Sequence, residues 1–298
     1  MSYNIVTRHR KEEYLSSDNP GTVSKILWHF TGGPIWDTKA NKQGKKLKPA
    51  NDAFSNLKAI IKSRTLRVGR FREVVNVVLP SYKQYSPHEK RVVEFKNKPI
   101  TMYSSSVCCL ADIPSVHLGY HATRYGKFAI GFHRSSVVKH GFNPVLYTLP
   151  TTEVIRHIYE GLSSIESIDA GDVVAAAESI ETNIIDEIDE YSDISVDTSE
   201  VTAEAEVMEG YAQEAQSSIQ DFIAFIKTFE EDQFDTIYCE REWRSVQDFK
   251  FTFDDVAMIV APKHFDGENY FQALVENVKQ LKIPRKIPIV PWEDLVEN

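Results

Sequence analysis

Near the C-terminal end of the chain, residues 239 to 244 read Cys-Glu-Arg-Glu-Trp-Arg. On a strand, side chains alternate between faces, so Glu240, Glu242 and Arg244 share one side and Arg241 and Trp243 the other. Three charged groups on one face are costly to bury without partners. That face meets either solvent, as a salt-bridged surface strand, or a cleft into which a carboxylate is aimed. A second chemically suggestive group stands far upstream, where Trp28-His29-Phe30-Thr31 ends an apolar run just before Gly32-Gly33-Pro34.

Other templates are absent or weak. The sequence has no glycine-rich loop of the Walker or dinucleotide type, and no Gly-x-Ser-x-Gly elbow. Cys108 and Cys109 are adjacent rather than spaced as zinc ligands, and Cys108 reads as a small buried hydrophobe. His117 and His121 are spaced i, i+4, but without companions at ligand spacing they read as an ordinary helix surface, and no metal site is expected.

The elements that must position these groups follow from pattern. Ile26 to Thr31 predicts a strand closed by glycines and proline. The lysine-rich stretch from Ile35 to Pro49 reads as a loop. Asn51-Asp52 would cap a helix whose apolar positions are Phe54, Leu57, Ile60 and Ile61, ending at Ser63-Arg64. Strands are expected at Leu66–Val68, Ile100–Tyr103, Val107–Leu110, Phe128–Phe132, Pro144–Tyr147, Thr236–Ser245, Val256–Val260 and Ile289–Val290, with a short helix from about His117 to Arg124.

Charge divides the chain. From Thr151 to Asp235 there are 23 Asp or Glu against two basic residues, Arg156 and Lys227, a net of −21, so the remainder carries +12 within a total of −9. The domain reading is therefore a basic core in residues 1–150, an acidic helical insertion in 151–235, and C-terminal strands in 236–298 that complete the core. Such asymmetry suggests an anionic partner for the core or neutralisation by the insertion. Arg67, Arg70 and Arg72, with Lys45, Lys46 and Lys48 and the aromatics Phe71, Tyr82 and Tyr85, have the composition of a single-stranded nucleic-acid surface. No apolar run reaches the roughly 20 residues of a membrane span. Three cysteines make no disulfide framework, and a cytoplasmic location is expected.

The motif His29-Phe30-Thr31 ending a strand, the following helix and short strand, and the late Glu-Arg-Glu strand together resemble the ADP-ribosyltransferase superfamily. The fold expected is α+β, with a mixed, mainly antiparallel sheet. The resemblance implies that His29 and Thr31 hold the ribose of NAD as a substrate and that Tyr103 or Tyr125 stacks on nicotinamide. It also implies that Glu242 or Glu240 is catalytic, orienting the ribose and stabilising the cation-like sugar formed as nicotinamide leaves. Where many members have a Ser-Thr-Ser or a tyrosine pair, this chain has Ser104-Ser105-Ser106 and Tyr120/Tyr125.

The segments LWHFTGG, VCCLADIP, YGKFAIGFHRSSVVKHGFNPVLY and EREWR, in this order, resemble the AbiGi-type bacterial abortive-infection family of phage-defence operons. That resemblance implies defence, either as an NAD-using transferase acting on nucleic acid or protein, or as a non-enzymatic antitoxin whose acidic lobe neutralises a partner toxin from the same operon. A further arrangement joins the two: the insertion restrains the core until infection displaces it.

Overall fold

The computed structural model describes residues 24–37, 42–69, 71–86, 90–167, 175, 179, 199–231 and 240–296. The described strands and helices, in chain order, begin with β1 (Ile26–Phe30), β2 (Pro34–Asp37), β3 (Lys42–Leu47), α1 (Ala50–Ser63), β4 (Thr65–Leu66) and β5 (Arg72–Leu79). There follow β6 (Tyr82–Ser86), β7 (Arg91–Phe95), β8 (Lys98–Ser106), β9 (Cys108–Ala111), α2 (Leu118–Tyr125), β10 (Ala129–His133) and α3 (Arg134–Lys139). Next come β11 (Asn143–Pro144), β12 (Leu146–Thr148), α4 (Glu153–Glu166), α5 (Ser199–Ile223), β13 (Ile226–Thr228) and β14 (Glu242–Ser245). The last are β15 (Phe249–Lys250), β16 (Val256–Ala261), α6 (Tyr270–Glu276), α7 (Val278–Leu281), β17 (Ile289–Pro291) and α8 (Trp292–Val296).

The chain divides into two units, one of residues 1–73, 105–147 and 224–298, the other of residues 74–104 and 148–223. The first is built on a seven-stranded sheet in the order β11-β14-β9-β1-β10-β16-β17. Only the β16–β17 pair is parallel; the others are antiparallel. The fold class is thus mixed α and β with a mainly antiparallel sheet.

Both faces of this sheet are covered. Leu27, Leu110, Ile130 and Ile259 pack with Phe54, Leu57 and Ile61 of α1, and with residues of α6 and α7. Ile26, Trp28, Ala111, Met258 and Val260 pack with Leu118 and Ala122 of α2, and Trp292 and Leu295 of α8. The central strands are apolar on both sides because each face meets a helix. The indole N–H of Trp28, buried in the second layer, donates to the carbonyl of Ile113 at 3.1 Å.

Local chemistry sets the element ends. Helix α1 stops where Arg64 turns left-handed at φ 52°, its N–H donating to the carbonyl of Ile60. Its start differs from the sequence reading. The helix begins at Ala50 behind Pro49, with no side-chain cap. Asn51 instead accepts a hydrogen bond from the Tyr270 hydroxyl at 3.0 Å, an expectation from local sequence overruled by a tertiary partner. The Ile35–Pro49 stretch read as a loop contains the β2–β3 hairpin, with Pro34 opposite Leu47 and Asp37 opposite Lys42. Lysine-rich strands escape pattern recognition because no apolar face repeats along them.

The second unit takes residues 74–104 as well as 148–223, whereas the sequence reading placed everything up to residue 150 in the core. Strand β5 alternates cleanly, burying Val75 and Val77 and exposing Val74 and Asn76, and the Val78 N–H donates to the carbonyl of Pro150 at 2.8 Å. Strands β6 and β7 form a hairpin with Tyr82 opposite Phe95. Helices α4 and α5 pack on each other. The second unit holds 21 acids against six Lys or Arg, a net of −15.

In β10, an added Cβ at Gly131 would lie 2.7 Å from a methyl of Ile26 and 3.0 Å from the indole of Trp28. Overpacking of this kind typically costs about 1–3 kcal/mol. Gly131→Ala is expected to lower the denaturant midpoint by a corresponding amount, with the slope unchanged.

Candidate functional site

Strands β1 and β9 share one register pair, Trp28 with Ala111. Beyond it the strands part, and at this opening lies a cavity of ≈ 380 Å³. Asn56, Ala59 and Ile60 of α1 line it from one face of the sheet, and His121 and Tyr125 of α2 from the other. His29, Phe30 and Thr31 come from the end of β1, Cys109 from β9, and Glu240 and Glu242 from the approach to and start of β14.

His29 bridges the parted strands. Its Nδ1 lies 3.1 Å from the carbonyl of Cys109. A carbonyl only accepts, so Nδ1 carries the proton and Nε2 is left as an acceptor. Burial pushes the His29 pKa down, against that hydrogen bond, and Lys48 lowers it further, so the ring stays neutral. Thr31 is buried, and its hydroxyl donates to the carbonyl of Ala53 at 2.8 Å, pinning the end of β1 to α1.

An aromatic wall stands beside them. His121 stacks on Tyr125 with centroids 4.4 Å apart and an interplanar angle of 22°. Phe30 tilts against His121 at 4.8 Å. Burial, helped by Arg124, lowers His121 to about 4. Burial and the charge of Glu240 push Tyr125 well up, and its hydroxyl donates to Glu240 Oε1 at 3.2 Å. Of the paired histidines His117 and His121, the first is exposed and the second buried. Among the described residues no group of three His, Cys, Asp or Glu side chains could hold a metal ion.

The two glutamates meet three cations, Lys227 and Arg244 on the inside and the more exposed Arg124 at the edge. Glu240 receives Arg124 Nη1 at 2.6 Å and Lys227 Nζ at 2.7 Å. Glu242 receives Arg244 Nη2 at 2.7 Å and Lys227 Nζ at 3.3 Å. Arg244 is fully buried and also donates to the carbonyls of Ala224 and Ile226, at 2.8 and 3.3 Å, and to Glu73. The Tyr147 hydroxyl accepts from the Glu242 N–H at 2.9 Å. Glu73, Glu240 and Glu242 thus face Arg124, Lys227 and Arg244, three charges against three.

Protonation states follow. Burial alone would raise Glu242, yet Arg244 and Lys227 outweigh it and hold the carboxyl well below its usual range. Burial alone would strip Lys227 of its proton, yet Glu242, Glu240 and Glu73 hold it charged. Glu73 moves the other way: burial pushes it up, against the pull of Arg244 and Lys227. Burial pushes the Cys108 thiol to about 12 and the Cys109 thiol well up, which makes both poor nucleophiles at neutral pH.

Of the strand expected from Thr236 to Ser245, the described residues show Glu242–Ser245 as strand. Residues 232–239 lie outside the described set, and β14 begins at Glu242 because Arg241 adopts a left-handed φ of 43°. Its carbonyl accepts from the Asp112 N–H at 3.0 Å and its guanidinium bonds Asp112 Oδ2 at 3.1 Å. The kink lets Glu240, off the strand, converge with Glu242 on Lys227.

Of the residues nominated from sequence, His29, Thr31, Tyr125, Glu240 and Glu242 line one cavity. Tyr103 does not; it lies on β8, 60% exposed. Arg67 and Arg72 are exposed and Arg70 lies outside the described residues. Lys48 lines the cavity, its pKa lowered by burial. Lys227, Arg124 and Tyr147 were not nominated. The one available signal was that Lys227 is one of two bases in an 85-residue acidic block.

This is a mixed α/β protein whose main sheet opens on a cavity walled by aromatics and by a neutralised set of buried carboxylates. Residues 78–293 match a family model described as "Putative abortive phage resistance protein AbiGi, antitoxin", and the chain belongs to that AbiGi family. A protein of Lactococcus lactis subsp. cremoris, named abortive phage resistance protein AbiGi, is 34% identical over 68 residues, 20% of this chain and 27% of that relative. The aligned stretch therefore spans about a quarter of the relative. No solved structure matches the chain. No helix among the described residues is long and apolar enough to cross a membrane.

Lys227→Met leaves Glu240 and Glu242 sharing fewer buried cations. Breaking a buried pair by removing one partner costs about 3–5 kcal/mol, and chemical denaturation is expected to show a loss of that order. His121 gives a pH signature. Its folded pKa lies below the unfolded value of 6.5, so its contribution is intact above pH 6.5 and lost as pH falls towards about 4. His121→Gln is expected to flatten the stability-versus-pH curve across that window, by at most about 3 kcal/mol.

Proposed function

We propose that the cavity takes the nicotinamide-ribose end of NAD and that the protein serves phage defence as an ADP-ribosyltransferase, with nucleic acid or protein as acceptor. One observation carries this reading. Residues 29, 31, 125, 240 and 242, nominated by resemblance from segments more than 200 residues apart, line a single cavity. Its volume, ≈ 380 Å³, lies within the range of small-molecule sites and suits part of a dinucleotide.

Each residue has a role its surroundings support. The free Nε2 of His29 accepts from a ribose hydroxyl. Thr31, its proton committed to Ala53, fixes the strand end that carries His29. Phe30, His121 and Tyr125 offer a flat, largely uncharged wall for the nicotinamide ring. Glu242, held ionised by Arg244 and Lys227, sets negative charge near the sugar carbon as its bond to nicotinamide breaks, and Glu240 sets a second carboxylate beside it. The electron pair leaves with nicotinamide, and the acceptor's nucleophile forms the new bond at that carbon.

A second reading draws on the description of the family as antitoxin and on the acidic second unit, net −15. Here the chain neutralises a basic toxin by charge-steered binding. One experiment separates the readings. Purified protein with NAD and either nucleic acid or extract of phage-infected cells should release nicotinamide. The Glu240→Gln, Glu242→Gln pair should lose release by about 100-fold or more while retaining much of the NAD binding. Release that survives the double variant sinks the assignment of these carboxylates, and no release under any condition leaves the antitoxin reading.

A further inference from the structure

Helix α5 has two apolar faces and uses one. Ala205 and Ile223 are buried, Ala212, Gln216 and Ile219 half-buried, and Gln216 Nε2 donates to Glu166 Oε1 of α4 at 3.3 Å, which fixes the side that packs. At helical spacing away from that side lie Val207 and Tyr211, 55% and 69% exposed, with Met208, 52% exposed, on the border between them and the packed side. Glu204 precedes Val207 by three residues and Glu214 follows Tyr211 by three, so carboxylates close both ends of the stripe. The helix holds six acids and no base over 25 residues. A groove lined, among the described residues, by Ala203, Glu204, Val207 and Met208 runs beside it.

We propose that this stripe is a docking surface for a basic amphipathic segment of a partner protein. Tyr and Met are enriched at interface centres, and a contiguous exposed apolar stripe on an otherwise charged helix is the kind of surface that interfaces use. The carboxylates select the occupant. They repel nucleic acid, an anionic membrane, and the same face of a second copy, and they attract a polypeptide whose apolar residues alternate with Lys or Arg at helical spacing. The identity of that partner as a toxin rests on the antitoxin reading; the surface itself does not.

The test uses a fluorescent synthetic helix of leucine and lysine with one apolar face, and a scrambled peptide of equal composition without that face. The full chain should bind the amphipathic peptide at least about tenfold more tightly than the scrambled one. Met208→Ala with Tyr211→Ala, which preserves helix propensity, should remove about tenfold or more of that affinity. Glu204→Gln with Glu214→Gln should flatten its dependence on salt. Equal binding of the two peptides, no binding of either, or unchanged affinity in the Ala variant overturns the proposal. So does sedimentation showing a dimer that the Ala variant dissociates, because the occupant is then a second copy. Co-expression with an operon toxin is read separately: peptide binding as expected without neutralisation defeats the antitoxin reading and leaves the surface standing.

Discussion

The first unit is organised around a buried ion-pair set with Arg244 at its centre. A guanidinium with no solvent exposure is viable only if its charge is matched, and Glu242 and Glu73 match it while two backbone carbonyls take further donors. The same demand reaches outward. Glu242 also holds Lys227, Lys227 holds Glu240, and Glu240 holds Arg124 and Tyr125. Residues 73, 124–125, 227 and 240–244 are far apart in the chain, and removing Arg244 or Lys227 leaves buried carboxylates short of a partner in a low dielectric.

This set has a consequence for the cavity beside it. The carboxylates at its edge are held by cations and hydrogen bonds on several sides, so they do not rotate freely, and Arg244 and Lys227 keep Glu242 ionised near neutral pH. His29 is fixed in tautomer by Cys109, and Thr31 ties the strand end to α1. Groups held this way reach a ligand with little reorganisation, the condition under which electrostatics affect a reaction most. The parting of β1 and β9 supplies the space, and helices on both faces of the sheet supply the walls.

Net charge is a poor guide to this molecule. The total of −9 combines a first unit with 28 Lys or Arg against 22 acids and a second unit at −15. Within the second unit, the two-faced character of α5 matters more than its acidity. A helix that packs through Ala205, Ala212 and Ile219 has satisfied its folding requirement, so Val207 and Tyr211 on its other side, and the exposed Met208 at the border, are not explained by folding.

The sequence alone determined what depends on neighbours along the chain. Strand β1 and its Gly-Gly-Pro stop, the end of α1 at Arg64, and the apolar strands β10 and β16 follow from spacing, punctuation and residue type, and these are local. The charged residues at 240, 242 and 244 were legible as a group needing a cleft or partners, because burying charge is costly wherever it occurs. Only the tertiary structure decided who the partners are. It set Lys227 between the glutamates, turned Asn51 from a helix cap into a partner of Tyr270, placed Tyr125 rather than Tyr103 at the cavity, and made strands of the lysine-rich 42–47. The reason is physical: an ion pair or cross-strand hydrogen bond forms between groups that folding brings within about 3–4 Å, and separation along the chain carries no record of that distance.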